Sequence, residues 1–96
     1  MIRRAAKTDR NQGLIVEALR DACCAVQTLH AVGGGCPDLL VSRAGKNYLL
    51  EVKADEAQRR RKSKTAEKQQ AWRAVWRGPV AVVTSVDEAL RAVGLI

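Results

Sequence analysis

The 96-residue sequence has no phenylalanine, and its aromatic side chains are limited to two tryptophans and one tyrosine. Unpaired nucleic acid binds by stacking its bases on aromatic side chains, so this scarcity argues against a protein dedicated to single strands. No apolar run approaches the roughly 20 residues of a membrane-spanning helix. The basic first residues lead into polar ones, which is not the pattern of a signal peptide. We therefore expect a cytoplasmic protein with no membrane partner.

Side chains of the kind that bind zinc are equally scarce. His30 is the sole histidine, and the three cysteines are Cys23, Cys24 and Cys36. Their number is odd, and their spacing lacks the C-x-x-C pattern of a zinc site. We predict that the cysteines are small buried thiols. His30 is predicted to be structural, with a general-base role as the alternative.

Positive charge is the feature that the chain has in excess. Seventeen Lys and Arg residues against ten Asp and Glu residues give a net charge of +7. A small domain with this balance favours a polyanionic partner such as nucleic acid. The length fits one domain over residues 1–96, and the apolar fraction of 47% is enough for that domain to fold.

The hydrophobic pattern predicts the element order α-β-β-β-α-β-α, an α/β (α+β) fold with a mixed sheet flanked by helices. The helices are predicted near residues 9–23, 66–77 and 87–93, and the strands near 25–32, 38–43, 48–53 and 80–84. Residues 54–65 are predicted to be a polar loop. Asp9 or Asn11 is the candidate cap of the first helix, and Ser85 or Asp87 that of the last.

Three charged side chains are predicted to meet at one edge of this sheet. If Ala44 and Gly45 form the turn of the second hairpin, then Asp38 lies opposite Glu51, with side chains about 5 Å apart. Lys53 follows Glu51 by two residues and shares its face of the strand. A register slip of one residue would separate the three groups.

Two carboxylates at this distance repel each other unless a cation lies between them. Oxygen ligands from Asp38, Glu51 and the backbone carbonyl of Val52 suit Mg²⁺ or Mn²⁺. Lys53 would orient a water molecule or stabilise the transition state of phosphodiester hydrolysis. The alternative interpretation is that these residues have no catalytic role. Asp38 would then be an aspartate at a turn after Pro37, and Glu51 and Lys53 a solvated ion pair. We interpret the combination as the site of a small metal-dependent DNA nuclease.

The run Gly35-Cys36-Pro37-Asp38 followed by Glu51-Val52-Lys53 resembles the PD-(D/E)XK nuclease superfamily. More narrowly, it is similar to the stand-alone VRR-NUC nucleases of phages, which are relatives of Holliday-junction resolvases. The resemblance covers almost the whole chain. It implies a restriction-endonuclease-like αβββαβ core and Mg²⁺-dependent endonuclease activity. It also implies a homodimer that acts on branched, junction or flap DNA in a bacterial or phage-infected cell.

The same resemblance assigns individual residues. Asp38 and Glu51 match the metal ligands, and Lys53 matches the catalytic lysine. A glutamine of the following helix corresponds to Gln69, three residues before Trp72, with Gln70 as its possible substitute. The family also tends to place an acidic residue, usually glutamate, on the first helix near the metal. Asp9 is the candidate here and Glu17 the runner-up.

A dense basic cluster follows the Glu-x-Lys strand, and we predict that it binds DNA phosphates. Its members are Arg59, Arg60, Arg61, Lys62 and Lys64. A solvated, mobile loop is the alternative for this segment. A second basic group, Arg3, Arg4 and Lys7, is a candidate arm.

Trp72 and Trp76 are spaced four residues apart on the predicted second helix. Packing in the core is the default interpretation of such a stripe, and a dimer surface is the alternative. Two further hypotheses stand beside the nuclease. One is a non-catalytic nucleic-acid-binding module on the same fold, and the other is a structural subunit of a phage particle.

Overall fold

The computed structural model describes residues 4–96, with side chains from residue 6 onward. In chain order the elements are α1 (Arg4–Asp21), β1 (Ala25–Thr28), β2 (Leu39–Arg43), β3 (Lys46–Val52), α2 (Glu56–Arg60), α3 (Lys64–Val75), β4 (Val80–Val83) and α4 (Val86–Ala92). Arg3 and the side chain of Arg4, both assigned to the candidate basic arm, lie outside this description. None of the described helices is long and apolar enough to cross a membrane.

The four strands form one mixed sheet in the order β1-β2-β3-β4. Strands β1, β2 and β3 are antiparallel neighbours, while β4 is parallel to β3 because α2 and α3 carry the chain back across the sheet. The predicted fold class, a mixed sheet flanked by helices, is confirmed.

The main core lies on one face of the sheet, under α1 and α4. Its members are fully or nearly fully buried and come from both helices and from three strands: Ile15, Leu19, Leu39, Val41, Leu50, Val52, Val83, Ala89 and Val93. Because side chains alternate along a strand, Leu49 and Glu51 point to the other face. That second face lies towards α3, and it carries the candidate site.

The β2–β3 hairpin has the register that the sequence predicts. Leu39 pairs with Leu50 and Arg43 with Lys46, so the turn consists of Ala44 and Gly45 alone. Both turn residues have positive φ, 52° and 79°, as a two-residue turn matched to the strand twist requires. One residue beyond the paired segment, this register sets Asp38 opposite Glu51.

The segment predicted to be a polar loop contains a short helix, α2. Asp55 caps it by accepting a hydrogen bond from the Gln58 amide at 2.8 Å. Glu56 forms ion pairs one turn ahead with Arg59 at 3.2 Å and with Arg60 at 3.5 Å. A five-residue helix held by caps and ion pairs has no apolar stripe, so its hydrophobic pattern gives no signal.

Several predicted boundaries and environments also need correction. Helix α1 includes Arg4 to Asp21, so Asp9 and Asn11 lie inside it and are not its caps. Strand β1 ends at Thr28 instead of residue 32, because the chain turns and the Val32 amide donates to the Leu29 carbonyl.

Helix α3 begins two residues earlier than predicted, where the Ser63 hydroxyl accepts a hydrogen bond from the Ala66 amide. The cap of α4 is Ser85, one of its two candidates. Of the three cysteines predicted to be buried, Cys24 is buried, Cys36 is half-buried and Cys23 is exposed.

Candidate active site

Asp38 lies at the start of β2 and is fixed to the end of β3 by two hydrogen bonds. Its backbone amide donates to the Leu50 carbonyl at 3.0 Å, and its Oδ2 accepts from the Val52 amide at 2.7 Å. Successive carbonyls of a strand point to opposite sides, so the Val52 carbonyl faces the same side as that of Leu50, towards Asp38. This arrangement brings together a carboxylate and a backbone carbonyl at the end of the strand.

Glu51 is a buried carboxylate, with only 2% of its surface exposed. Its Oε2 accepts from Gln69 Nε2 at 2.8 Å and lies 3.7 Å from Lys53 Nζ. Its Oε1 is buried and has no hydrogen-bond partner among the described residues. A buried acceptor without a partner is unusual in a folded protein and requires an explanation.

The surroundings of Glu51 disfavour its ionised form. Burial, followed by the charge of the neighbouring Asp38 carboxylate, raises the pKa of Glu51 from 4.5 to about 8. Lys53 and Arg73 act in the opposite direction but do not outweigh these effects. A cation near both carboxylates would relieve the repulsion and supply a partner for Oε1. The carboxylate pair therefore has the charge and the free acceptor that a metal site needs.

Lys53 and Gln69 complete the polar cluster. Lys53 Nζ donates to Gln69 Oε1 at 2.6 Å, and the Gln69 amide in turn donates to Glu51. Gln69 thus holds the carboxylate and the ammonium together through its two ends. The neighbouring Gln70 is exposed. Of the two predicted glutamines, the structure brings Gln69 to the cluster.

The position of Gln69 depends on a close approach by Gly35. A Cβ atom added at Gly35 would lie 2.7 Å from the carbonyl carbon of Lys68 and 3.1 Å from the amide nitrogen of Gln69. Real Cβ atoms do not approach backbone atoms this closely, and Gly35 also has φ of +88°. The glycine loop, which consists of Gly33, Gly34 and Gly35, therefore packs directly against the backbone of α3 at the residue that enters the site.

Asn11 is a residue of the site that sequence reasoning missed. Its side-chain amide donates to the Lys53 carbonyl at 2.8 Å and to the Thr84 carbonyl at 2.9 Å. It therefore joins α1 to the ends of the parallel strands β3 and β4. A signal was present, since Asn11 precedes the buried Ile15 and Leu19 at intervals of four and thus lies on the buried face of the helix.

Replacing Asn11 by alanine is expected to lower the free energy of unfolding by about 2 kcal/mol. The substitution removes two hydrogen bonds and leaves two carbonyl groups without their donor. Urea denaturation would measure the loss, with Gln12→Ala as a control on the adjacent helix position. An unchanged stability would show that water replaces the Asn11 amide at no cost.

The predicted first-helix acids remain apart from the carboxylate pair. Asp9 and Glu17 are exposed and line an open cleft of about 830 Å³ together with His30 and Asp38. Within residues 4–96 there is no group of three or more His, Cys, Asp or Glu side chains arranged to hold a metal ion. The structure thus brings together Asp38 and Glu51, and it leaves Asp9 on the wall of the cleft.

The predicted DNA-binding residues divide into two groups. Arg59 is half-buried and forms ion pairs with Glu56 and Glu88, so its charge is neutralised within the fold. Hydrogen bonds from Thr84, together with Arg59, hold the pKa of Glu88 below its usual value despite partial burial. The remaining cations, Arg60, Arg61, Lys62 and Lys64, are exposed. Arg61 lines a second cleft, of about 510 Å³, with Asp9 and Lys53.

Comparison with known proteins identifies the fold. One solved structure, described as a "VRR_NUC domain", matches this chain with a probability of 1.00, a TM-score of 0.64 and 25% sequence identity. The match covers 88% of this chain and 91% of that structure. No family model and no curated protein matches the sequence. The structural match confirms the resemblance seen in the sequence and supports the VRR-NUC nuclease family, within the PD-(D/E)XK superfamily.

Proposed function

Because the chain has the fold of a VRR-NUC nuclease domain, we propose that it is an endonuclease that hydrolyses phosphodiester bonds of DNA with Mg²⁺ or Mn²⁺. The observation that carries this proposal is the buried Glu51, whose Oε1 has no partner in the described chain and whose neighbour is a second carboxylate. In a solvated Glu–Lys pair, which is the ordinary alternative, the glutamate would be exposed, whereas Glu51 is only 2% exposed.

Asp38, Glu51 and the Val52 carbonyl are the groups that would hold the cation. Oxygen ligands and a small number of protein contacts suit Mg²⁺, which usually retains several waters and shares the phosphate of its substrate. When bound, such an ion supplies an activated water and neutralises negative charge on the phosphate. Among the described residues no third acidic side chain joins Asp38 and Glu51, which fits one ion more readily than two.

Lys53 and Gln69 are the remaining members of the proposed machinery. Lys53 presents a positive charge beside the carboxylates, where it can stabilise charge that develops on the phosphate or orient the attacking water. Gln69 keeps the Lys53 ammonium and Glu51 at fixed positions through its two hydrogen bonds. Asp9, on the wall of the cleft, would act through waters bound to the metal or through the substrate.

The exposed cations beside this cluster would bind the DNA backbone. Arg61 shares its cleft with Lys53, and Lys62 and Lys64 follow on the same segment. Contacts of this kind position DNA without reading its sequence, and they weaken steeply as salt concentration rises. Arg59, by contrast, has a structural role because its charge is already paired.

We further propose that the substrate is branched DNA and that two copies of the chain act together. The described part of the chain provides one such cluster, and cutting both strands of a junction needs two, which a symmetric dimer would supply. Residues 1–96 would form one nuclease domain, acting in the cytoplasm of a bacterial or phage-infected cell.

A cleavage assay with several DNA forms tests this proposal. The protein would be incubated with labelled Holliday junction, flap, linear duplex and single-stranded DNA in Mg²⁺, Mn²⁺ or EDTA, beside an Asp38→Ala variant. We expect cleavage that requires metal, favours the branched forms and is lost in Asp38→Ala. Tight binding without cleavage in either metal would instead favour the non-catalytic nucleic-acid-binding module.

A further inference from the structure

An apolar pocket of about 410 Å³ lies between α3 and the sheet, beside the carboxylate cluster. Helix α3 has no buried residues, so it covers this face of the sheet incompletely. Trp72 and Trp76 form one side of the pocket, and Leu40 and Leu49 of the sheet line it as well. Asn47 adds a side-chain amide to this otherwise apolar lining.

The two indoles stack on each other. Their ring centroids are 4.6 Å apart, and their planes differ by 20°. Trp76 remains 48% exposed, so part of the stacked pair is open to solvent. A Cβ atom at Gly78 would lie 3.1 Å from Trp76 Nε1, which means that this glycine makes room for the indole.

The pocket is continuous with the candidate active site. Gln69, Trp72 and Trp76 are spaced by three and four residues, so they follow one face of α3 and its C-cap. With a rise of about 1.5 Å per residue, Trp72 lies about 4.5 Å and Trp76 about 10 Å from Gln69 along the helix axis. Cys36 lines both this pocket and the smaller cleft that contains Asp38 and Gln69.

We propose that this pocket binds an unpaired nucleobase of the DNA substrate, close to the phosphate that is cut. The inference rests on the proposed nuclease function and specifies its substrate: DNA with at least one unpaired base beside the cleavage site. A base has two apolar faces that stack on aromatic rings, and its polar edge would be within the reach of an amide such as that of Asn47. At a stacking distance of about 3.4 Å per nucleotide, the pocket lies within about three nucleotides of the cluster.

The charge around the pocket agrees with this occupant. No acidic side chain is among the described residues that line it. Arg73 and Arg77 each directly follow one of the two tryptophans in sequence, and Arg77 is exposed. Arg73 is also close enough to Glu51 to affect the pKa of that carboxyl group. A nucleotide whose base occupied the pocket would therefore have the charge of Arg73 on the side of the carboxylate cluster.

A second copy of the chain is the competing occupant. In the described part of the chain, the large exposed apolar side chains of this region are Val75 and Trp76. A stable protein interface buries about 800 Å² on each partner, which two side chains do not approach. A single base needs only the pocket itself.

A double-mutant cycle between protein and DNA tests the proposal. The probes would be a duplex with a short unpaired flap and the same duplex with abasic sites in the flap, and Kd would be measured in EDTA so that no cleavage occurs. For the unaltered protein, we expect removal of the bases to raise Kd about tenfold. For Trp76→Ala, the Kd for the flap that retains its bases should already be about tenfold higher than for the unaltered protein, and abasic sites should raise it no further. Trp76→Phe should retain part of the difference.

Val75→Ala is the matched control, because Val75 is 72% exposed in the same region but does not line the pocket. It should keep the full dependence on the flap bases. Equal sensitivity of Trp76→Ala and the unaltered protein to abasic sites would overturn the proposal. The proposal would also be overturned by a different pair of results. In these, the unaltered protein binds both probes equally and sediments as a dimer, while Trp76→Ala sediments as a monomer. Base-dependent binding without cleavage in Mg²⁺ would contradict the nuclease function and leave the pocket assignment standing. Cleavage without base-dependent binding would contradict the pocket assignment and leave the nuclease function standing.

Discussion

Replacing Glu51 by glutamine is expected to abolish cleavage and, at the same time, to stabilise the metal-free protein above neutral pH. Glutamine has nearly the same shape and can still accept a hydrogen bond from Gln69, but it carries no charge. Loss of a ligand that holds the metal removes several kcal/mol of transition-state stabilisation, so we expect the cleavage rate to fall about 1,000-fold.

The gain in stability follows from the raised pKa of Glu51. This pKa is 4.5 ordinarily and about 8 in the folded protein. Between these values the folded chain binds a proton that the unfolded chain has released. The free energy of unfolding of the metal-free protein therefore falls as pH rises, by up to about 1.4 kcal/mol per pH unit. Glu51→Gln cannot titrate, so most of this dependence should disappear.

Urea denaturation in EDTA at several pH values between about 5 and 9 would measure the effect. Mg²⁺ added at the upper end of this range should stabilise the unaltered protein and leave Glu51→Gln unaffected. Glu88→Gln is a useful control, because the lowered pKa of Glu88 places its titration below this pH range. Glu88 stabilises the fold throughout the range, so its replacement should lower the free energy of unfolding without changing how that free energy depends on pH. A Glu51→Gln variant with the same pH dependence as the unaltered protein would contradict our account of the buried carboxylate.

One feature of the Glu51 site could be predicted from the sequence and another could not. The register that sets Asp38 opposite Glu51 was predictable, because a two-residue turn and the alternation of strand side chains determine it. The burial of Glu51 was not, since a Glu-x-Lys pair on a strand has the same pattern whether solvent or a helix covers it. The packing of α3 against the second face of the sheet, with Gln69 hydrogen-bonded to Glu51, helps to remove this carboxylate from water.

Residues that act across long separations were the hardest to predict. Asn11 contacts the carbonyl groups of Lys53 and Thr84, which follow it by 42 and 73 positions. No local pattern encodes such partners, and a polar residue near a helix start resembles a cap. Arg59 gives the converse case. Its place in a run of cations predicts a phosphate contact, but its ion pair with Glu88 spans 29 residues and depends on how α2 packs against α4.

Gly35→Ala is expected to reduce the cleavage rate about 100-fold and to lower the free energy of unfolding by about 3 kcal/mol. The new Cβ would lie 2.7 Å from the Lys68 carbonyl carbon, and backbone atoms cannot move aside as a flexible side chain can. Helix α3 would have to shift, which would weaken the hydrogen bonds from Gln69 to Glu51 and from Lys53 to Gln69. A displacement of about 1 Å in a catalytic group is enough for a rate loss of this size.

Gly34→Ala is the matched control for this prediction. Gly34 also has a positive φ, of +65°, but a Cβ added there meets no atom within 4 Å. It should therefore show only the backbone strain of a left-handed residue, about 1 kcal/mol, with nearly normal cleavage. The difference between the two variants isolates the contact between the glycine loop and α3. Comparable cleavage by Gly34→Ala and Gly35→Ala would mean that this contact does not position Gln69, and that the glycines serve only the turn.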